Sequence, residues 1–383
     1  VTAGGFEPLH KALQKAGYEI GHIGVDHIRV KPPMREQGFE FFLNQEDYEA
    51  WAAAKNVKTV RKPEELVTVQ EEVDGQYVEK KYSGHRVSQW ENPFETLKDI
   101  YFRDHSLEFL RQLPEGKPFA MFTYLWAPHP PLRVPEPYAS MYPPEKLVLP
   151  DNIGITAEGE PPLRRKGVPA QLAEQVPKEE WRQVWSAHLA LTTMADDVLG
   201  MILEELKKQG KYENTCVVFT ADHGDSLGQH QMYQKMEMYE ESVKVPLVIR
   251  LPGAKTGKTA KLVSHLDLKP TLCEIGGASA GACDGRSLVP FLEGRAELEQ
   301  KPAYIQYSGN PSYGTIRRAV VTERYKYIYD GSHAHELYDL EKDPHEMNNV
   351  ADDPRYETVL KELYEACKRF HQDHQDYFDW EGK

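Results

Sequence analysis

Three short apolar runs constrain this chain more than any other feature. YEIGHIGV (18–25), FAMFTYLW (119–126) and CVVFT (216–220) each have the length of a buried strand. Each also stops at a polar corner that carries histidine. The first ends at Asp26-His27, the second at the proline-locked His129 of WAPHPP, the third at Asp222-His223. Helical stretches precede all three. Residues 8–16 place Leu9, Ala12, Leu13 and Ala16 on one face, with Pro8 at the entry and Gly17 at the exit. Residues 95–112 read as a helix that stops before Pro114. In 186–209, Leu191, Met194, Val198, Ile202 and Leu206 recur at helical spacing before Gly210. Helix-strand alternation predicts an α/β core. In such sheets ligands bind beyond the carboxyl ends of the strands. One histidine past a strand end is commonplace, whereas three such ends point to a shared site.

The rest of the chain reads less sharply. Residues 31–94 are polar, rich in Glu, Lys, Pro and Tyr, and are expected to form an excursion with little core. The proline-rich stretch 133–177 has no strong period and is expected as surface loops; loops of that length are often functional. KVPLVIRLPG is a further short buried strand, and 265–276 a helix entered through Asp267 and Pro270. After Gly294 the texture changes. AYIQYS, RRAVVTERYKYIYD and HELYDL alternate apolar and polar residues between turns, as an antiparallel sheet does. Residues 354–372 read as a charged terminal helix. The expected division is an α/β core over 1–294 and a C-terminal α+β subdomain over 295–383.

Composition then excludes some functions. The 60 acidic residues outnumber 46 basic ones, giving a net charge of -14. Non-specific nucleic-acid binding runs on Lys and Arg contacts to phosphate, so it is not expected here. No run reaches the roughly 18 apolar residues that span a bilayer. Cys216, Cys273, Cys283 and Cys367 form no C-x-x-C pair, so neither a zinc knuckle nor a dithiol motif is expected.

Taken singly, the polar residues keep two readings each. Asp222-His223 offers oxygen and nitrogen to a divalent cation, or is an Asp-capped turn with a solvated histidine. Lys235, a dozen residues on, is near enough to fold over the same strand end, or is surface charge. His129 and His27 are positioned donors or loop histidines. Asp225 and His230 face the cleft or cap the loop. Asp196 and Asp197 read as the polar face of the long helix. Arg317, Arg318, Arg324 and Lys326 read as charge on an edge strand.

Together these segments resemble the sulfatase family of the alkaline-phosphatase-like superfamily. The stretch FTADHGDSLGQHQMYQKMEMYEESVKVPLVIRLPG carries the strongest likeness. LHKALQKAGYEIGHIGVDHI, PFAMFTYLWAPHPP, MADDVLGMILEELKKQGKYENT, HLDLKPTLCEIGGA with DGRSLVPFLEG, and RYKYIYDGSHAHELYDLEKDPHEMNNVADDP match in order. The resemblance implies a central mixed sheet flanked by helices, with a small C-terminal antiparallel sheet. It implies a hydrolase of sulfuric esters, arylsulfatase-like, acting on a small-molecule or glycan sulfate. It also implies a divalent metal, calcium above Mn2+, Mg2+ or Zn2+, with Asp222 and His223 as two of its ligands. Lys235, His129 and His27 match residues that contact the sulfate or protonate the leaving oxygen.

Two departures qualify this. The family's G-K-x-H reads here as Gly24-Val25-Asp26-His27, which leaves room for phosphonate monoesters or phosphodiesters as substrates. The family's first strand, with its pair of metal-binding Asp residues and its C/S-x-P-x-R motif, is also unmatched. None of the four cysteines and no serine stands in that frame. The formylglycine nucleophile is therefore expected on an N-terminal segment that these 383 residues lack, and an inactive binding module is the remaining alternative.

Overall fold

The computed structural model describes residues 7–28, 30–309, 316–331, 334–378 and 380. In chain order, α1 (Leu9–Lys15) leads into β1 (Glu19–Gly24). Then follow β2 (Phe41–Asn44), α2 (Gln45–Ala54), the hairpin β3 (Leu66–Val73) and β4 (Gln76–Ser83), and β5 (Val87–Gln89). The middle of the chain holds α3 (Lys98–Gln112), β6 (Phe119–Tyr124), β7 (Leu132–Val134), α4 (Val168–Ala173), α5 (Glu180–Lys208) and β8 (Val217–Thr220). After it come α6 (Glu240–Val243), β9 (Leu247–Arg250), α7 (Leu268–Ile275) and α8 (Val289–Leu292). Strands β10 (Ala303–Tyr307), β11 (Arg317–Val321), β12 (Tyr325–Tyr329) and β13 (His335–Asp339) precede the last helix, α9 (Glu357–Asp373).

The sheet that positions the site is parallel and ordered β2-β1-β6. β8 pairs antiparallel with β9. Helices α3 and α5 supply the main core. Ile100, Phe102, Phe109 and Leu110 of α3 pack with Leu191, Met194, Val198, Ile202 and Leu206 of α5, the stripe legible in the sequence. The C-terminal sheet is a four-stranded antiparallel meander, β10-β11-β12-β13, as the alternation predicts. Among the described residues no helix is long and apolar enough to cross a membrane.

Several expectations need correction. Residues 133–177, expected as surface loops, carry α4 and place Val134, Tyr138, Ile153, Val168 and Leu172 in the main buried cluster. Residues 31–94 do contribute to the core: β2 joins the parallel sheet, and Leu43, Tyr48, Ala52 and Val69 are buried in the main cluster. The residues of β8 and β9, both read as buried strands, are half-exposed, with Phe219 41% and Val248 61% accessible, because the two form only a two-stranded ribbon among the described residues. Arg317 and Arg318 are not on an edge. β11 lies between β10 and β12, and both arginines are fully buried, as is Lys326 on β12. Burial of such groups requires partners, and each has one. Arg317 donates to Glu237, Arg318 to Asp376, and Lys326 lies 2.8 Å from Glu346 and 2.7 Å from Glu240.

Candidate active site

The carboxyl ends of β1, β6 and β8 converge. Gly24 closes β1 with φ +123°, and a Cβ there would sit 2.0 Å from the Tyr124 carbonyl oxygen, so only glycine lets β1 and β6 run this close. His27 follows at the rim. The chain beyond β6 brings Trp126 edge-on to His27, ring centroids 6.1 Å apart, and against His129 at 4.5 Å. His129 in turn faces His223 of the β8 corner at 6.4 Å.

Lys235 joins the cluster from the loop after β8. Its ammonium donates to His129 Nε2 at 2.8 Å, while His129 Nδ1 donates to the Pro130 carbonyl at 2.6 Å. These two bonds fix the imidazole as neutral, with the proton on Nδ1. Burial, reinforced by the Lys235 charge, pushes the His129 pKa down to about 3. The same two causes lower His27 and His223, and burial also lowers Lys235 below the usual lysine range.

The Asp222-His223 corner has a definite donor set. His223 Nδ1 donates to the Gly224 carbonyl at 2.8 Å, which leaves the Nε2 lone pair free, 3.5 Å from Asp222 Oδ2. An outer hydrogen bond that fixes the tautomer and presents the other nitrogen is how histidine is prepared for metal ligation. Gly224 is required here, since a Cβ would lie 1.9 Å from the Glu241 carbonyl oxygen. Asp222 is exposed, and its Oδ1 accepts from the His223 N–H at 3.0 Å.

The loop that delivers Lys235 is unusual. Leu227, His230, Gln231, Gln234 and Met236 all adopt positive φ. Backbones of this kind persist only where the surroundings over-determine them. Asp225 Oδ1 accepts from both Leu227 N and Gln234 N, stapling the loop just before Lys235. Arg165 donates to the His230 and Gln231 carbonyls, and Trp185 to that of Leu227. The sequence left Asp225 and His230 open between the cleft and the loop, and in the structure both belong to the loop. His230 is buried and stacks on Tyr239 at 4.0 Å.

Among the described residues, His230, Glu241 and Glu346 form the one group of three acidic or histidine side chains with ligand atoms within 4.8 Å of one another. The Lys326 ammonium already stands 2.8 Å from Glu346 and supplies the positive charge this buried cluster needs. It reads as a structural network rather than a cation site. Asp196 and Asp197 are exposed on α5, and Asp197 accepts from the Tyr138 hydroxyl. All four cysteines are free thiols. Trp126 and the Asp225 staple escaped sequence reasoning; the turn-favouring composition of DHGDSLG was the available signal for the second.

The Sulfatase family model matches residues 2–278. The chain belongs to the sulfatase family. A second model, N-sulphoglucosamine sulphohydrolase, C-terminal, matches 228–373. The chain is 30% identical over 315 residues to the multifunctional alkaline phosphatase superfamily protein PehA of Trinickia caryophylli, covering 74% of this chain and 61% of that protein. It is 29% identical over 367 residues to an arylsulfatase of Clostridium perfringens, covering 92% and 75%. The solved phosphonate monoester hydrolase of Agrobacterium radiobacter shares the fold, with TM-score 0.75 and 22% identity over 97% of this chain and 81% of that one. The central parallel strands with flanking helices and the C-terminal antiparallel sheet are therefore the alkaline-phosphatase-like architecture. The chain spans 61% of the length of PehA, and 35% of that of a choline-sulfatase it also matches.

Proposed function

We propose that this protein hydrolyses sulfuric esters, of a small molecule or a glycan, at the corner formed by His27, His129, Asp222, His223 and Lys235. The observation that carries the reading is the convergence of three strand ends, with Lys235 bonded to His129 at 2.8 Å and His223 facing that histidine. Sulfatase relatives support the reaction class.

Each residue has a role that its geometry suits. The Lys235 ammonium is placed to stabilise negative charge that develops on the ester oxygens. His129 is neutral before substrate binds. An anion held beside it favours the imidazolium, which then donates a proton to the leaving oxygen. His27, at the rim, is a hydrogen-bond donor to a sulfate oxygen. Asp222 Oδ2 and His223 Nε2 would hold a divalent cation, calcium by family resemblance, which offsets the charge of the ester when bound. The remaining ligands and the formylglycine nucleophile are proposed to lie on a segment outside these 383 residues.

The test compares the full-length gene product, supplied with Ca2+, on p-nitrophenyl sulfate, a phosphonate monoester and a phosphodiester. Preference for the sulfate is expected, and Lys235→Ala or His129→Ala should lower kcat/KM by about 10²- to 10³-fold. Val25 and the likeness to the phosphonate monoester hydrolase of Agrobacterium radiobacter make phosphonate or phosphodiester hydrolysis the second reading, which a reversed preference would establish. The 383-residue polypeptide alone is expected to be inert toward aryl sulfates; turnover by it would overturn the external nucleophile.

A further inference from the structure

The Trp126 corner holds a positive charge that the roles above leave unused. Lys98 is the first residue of α3. A lysine there is disfavoured twice. The N-terminus of a helix carries partial positive charge, and burial strips water from the ammonium, the largest cause lowering its pKa. Such a group ordinarily sits against a carboxylate. Among the described residues Lys98 makes no ion pair within 4.0 Å; Glu49 and Asp99 act on it only from farther away. Its Nζ lies instead over the Trp126 ring, 4.3 Å from the centroid, and 5.3 Å from that of Tyr48.

The placement is built in. Asp99, the next residue, is buried, and its Oδ1 accepts from the backbone N–H groups of Trp126 and Ala127 at 2.6 and 3.0 Å. Those bonds bolt the first turn of α3 to the corner that carries His129. Trp126 touches His129 on one side and meets His27 edge-on on the other. The Lys98 charge is felt at His27, whose protonation it disfavours. Val25, by contrast, packs against the main core and brings no charge to the end of β1.

We propose that Lys98 is an anion-contacting residue of this site, held over Trp126 to meet an anionic oxygen of the bound ester and to set which esters bind. The inference rests on the sulfuric-ester reading given above. An anion at this corner would relieve both the dipole and the desolvation that Lys98 now bears unpaired.

Isothermal titration of inorganic sulfate, and separately of methylphosphonate, into the Ca2+-supplied protein tests it. Lys98→Gln should weaken both anions by about tenfold, the worth of one charge-assisted hydrogen bond. Lys98→Arg should keep affinity within about threefold, because guanidinium retains the charge and also lies well over an indole. In turnover by the full-length gene product, Lys98→Gln should raise KM more than it lowers kcat. Wild-type affinity in Lys98→Gln, or equal loss in Lys98→Arg and Lys98→Gln, overturns the role of Lys98 alone. Binding of neither anion by the folded wild-type protein overturns the ester-hydrolase reading and this inference with it.

Discussion

At 2.8 Å, Lys235 and His129 hold opposite halves of one hydrogen bond, so the charge must sit on the lysine and the lone pair on the imidazole. What keeps the lysine charged despite its burial is Asp225, the largest favourable influence on it. Asp225 is itself desolvated, with its pKa pushed up to about 6. The residue therefore does two separable things: one oxygen staples the loop and the negative charge supports Lys235. Asp225→Asn keeps an oxygen acceptor but removes the charge. Loss of a nearby negative charge lowers a lysine pKa, so the alkaline limb of the kcat/KM profile should move to lower pH, with kcat near neutral pH changed little. Asp225→Ala loses the staple as well. It should cost about 2 kcal/mol in stability and lower activity at every pH, because two backbone donors lose a charged acceptor. Identical pH profiles for wild type and Asp225→Asn would show that the charge does not reach Lys235.

At the scale of elements, β11 and β12 show both what the sequence reveals and what it hides. RRAVVTERYKYIYD announces two strands, and alternation places them correctly. The same letters do not reveal that β10 covers one side of β11, so Arg317 and Arg318 read as edge charge until the partners are seen. Their counter-ions lie 80 and 58 residues away, at Glu237 and Asp376, beyond any local pattern. β2 was hidden for a similar reason. Phe41–Asn44 is four residues long, and its parallel partner β1 is distant in sequence, so neither period nor hairpin signal marks it. The three strand-end histidines were legible because strand termination and histidine placement are both local. Lys98 was not, because its meaning depends on α3 docking against the end of β6. A buried cation between two glutamates also gives a test at this scale. Lys326→Met leaves Glu240 and Glu346 beside each other without it and should destabilise the protein by about 3–5 kcal/mol. Pairing it with Glu346→Gln should recover part of that loss in chemical denaturation, and the absence of any recovery would show that the pair is not coupled.

Across the whole molecule, the strained loop bearing Lys235 is the meeting point of the two halves expected from the sequence. Arg164, from the proline-rich stretch, is fully buried and donates to Asp330 at 3.0 Å and to Glu336, both reached from the C-terminal sheet. It also lies 3.5 Å from Glu237 of the loop, which Arg317 on β11 grips from the other side. Tyr239 of the loop donates to Glu336 at 2.9 Å, and Met232, Met238 and Tyr239 share a buried cluster with Ala319, Ile328 and Tyr338 of the sheet. Separating residues 295–383 from the rest would expose that cluster and strand several buried charges at once, each costly without its partner. The C-terminal sheet should therefore not melt on its own. Thermal unfolding followed by far-UV circular dichroism and by tryptophan fluorescence should give one coincident transition. Arg164→Met, which withdraws the guanidinium from Glu336 and Asp330 together, should lower that single midpoint and reduce turnover by loosening the Lys235 loop. Two resolved transitions in the wild-type protein, or an Arg164→Met variant with a lowered midpoint and undiminished turnover, would mean that the sheet does not hold the loop in its active shape.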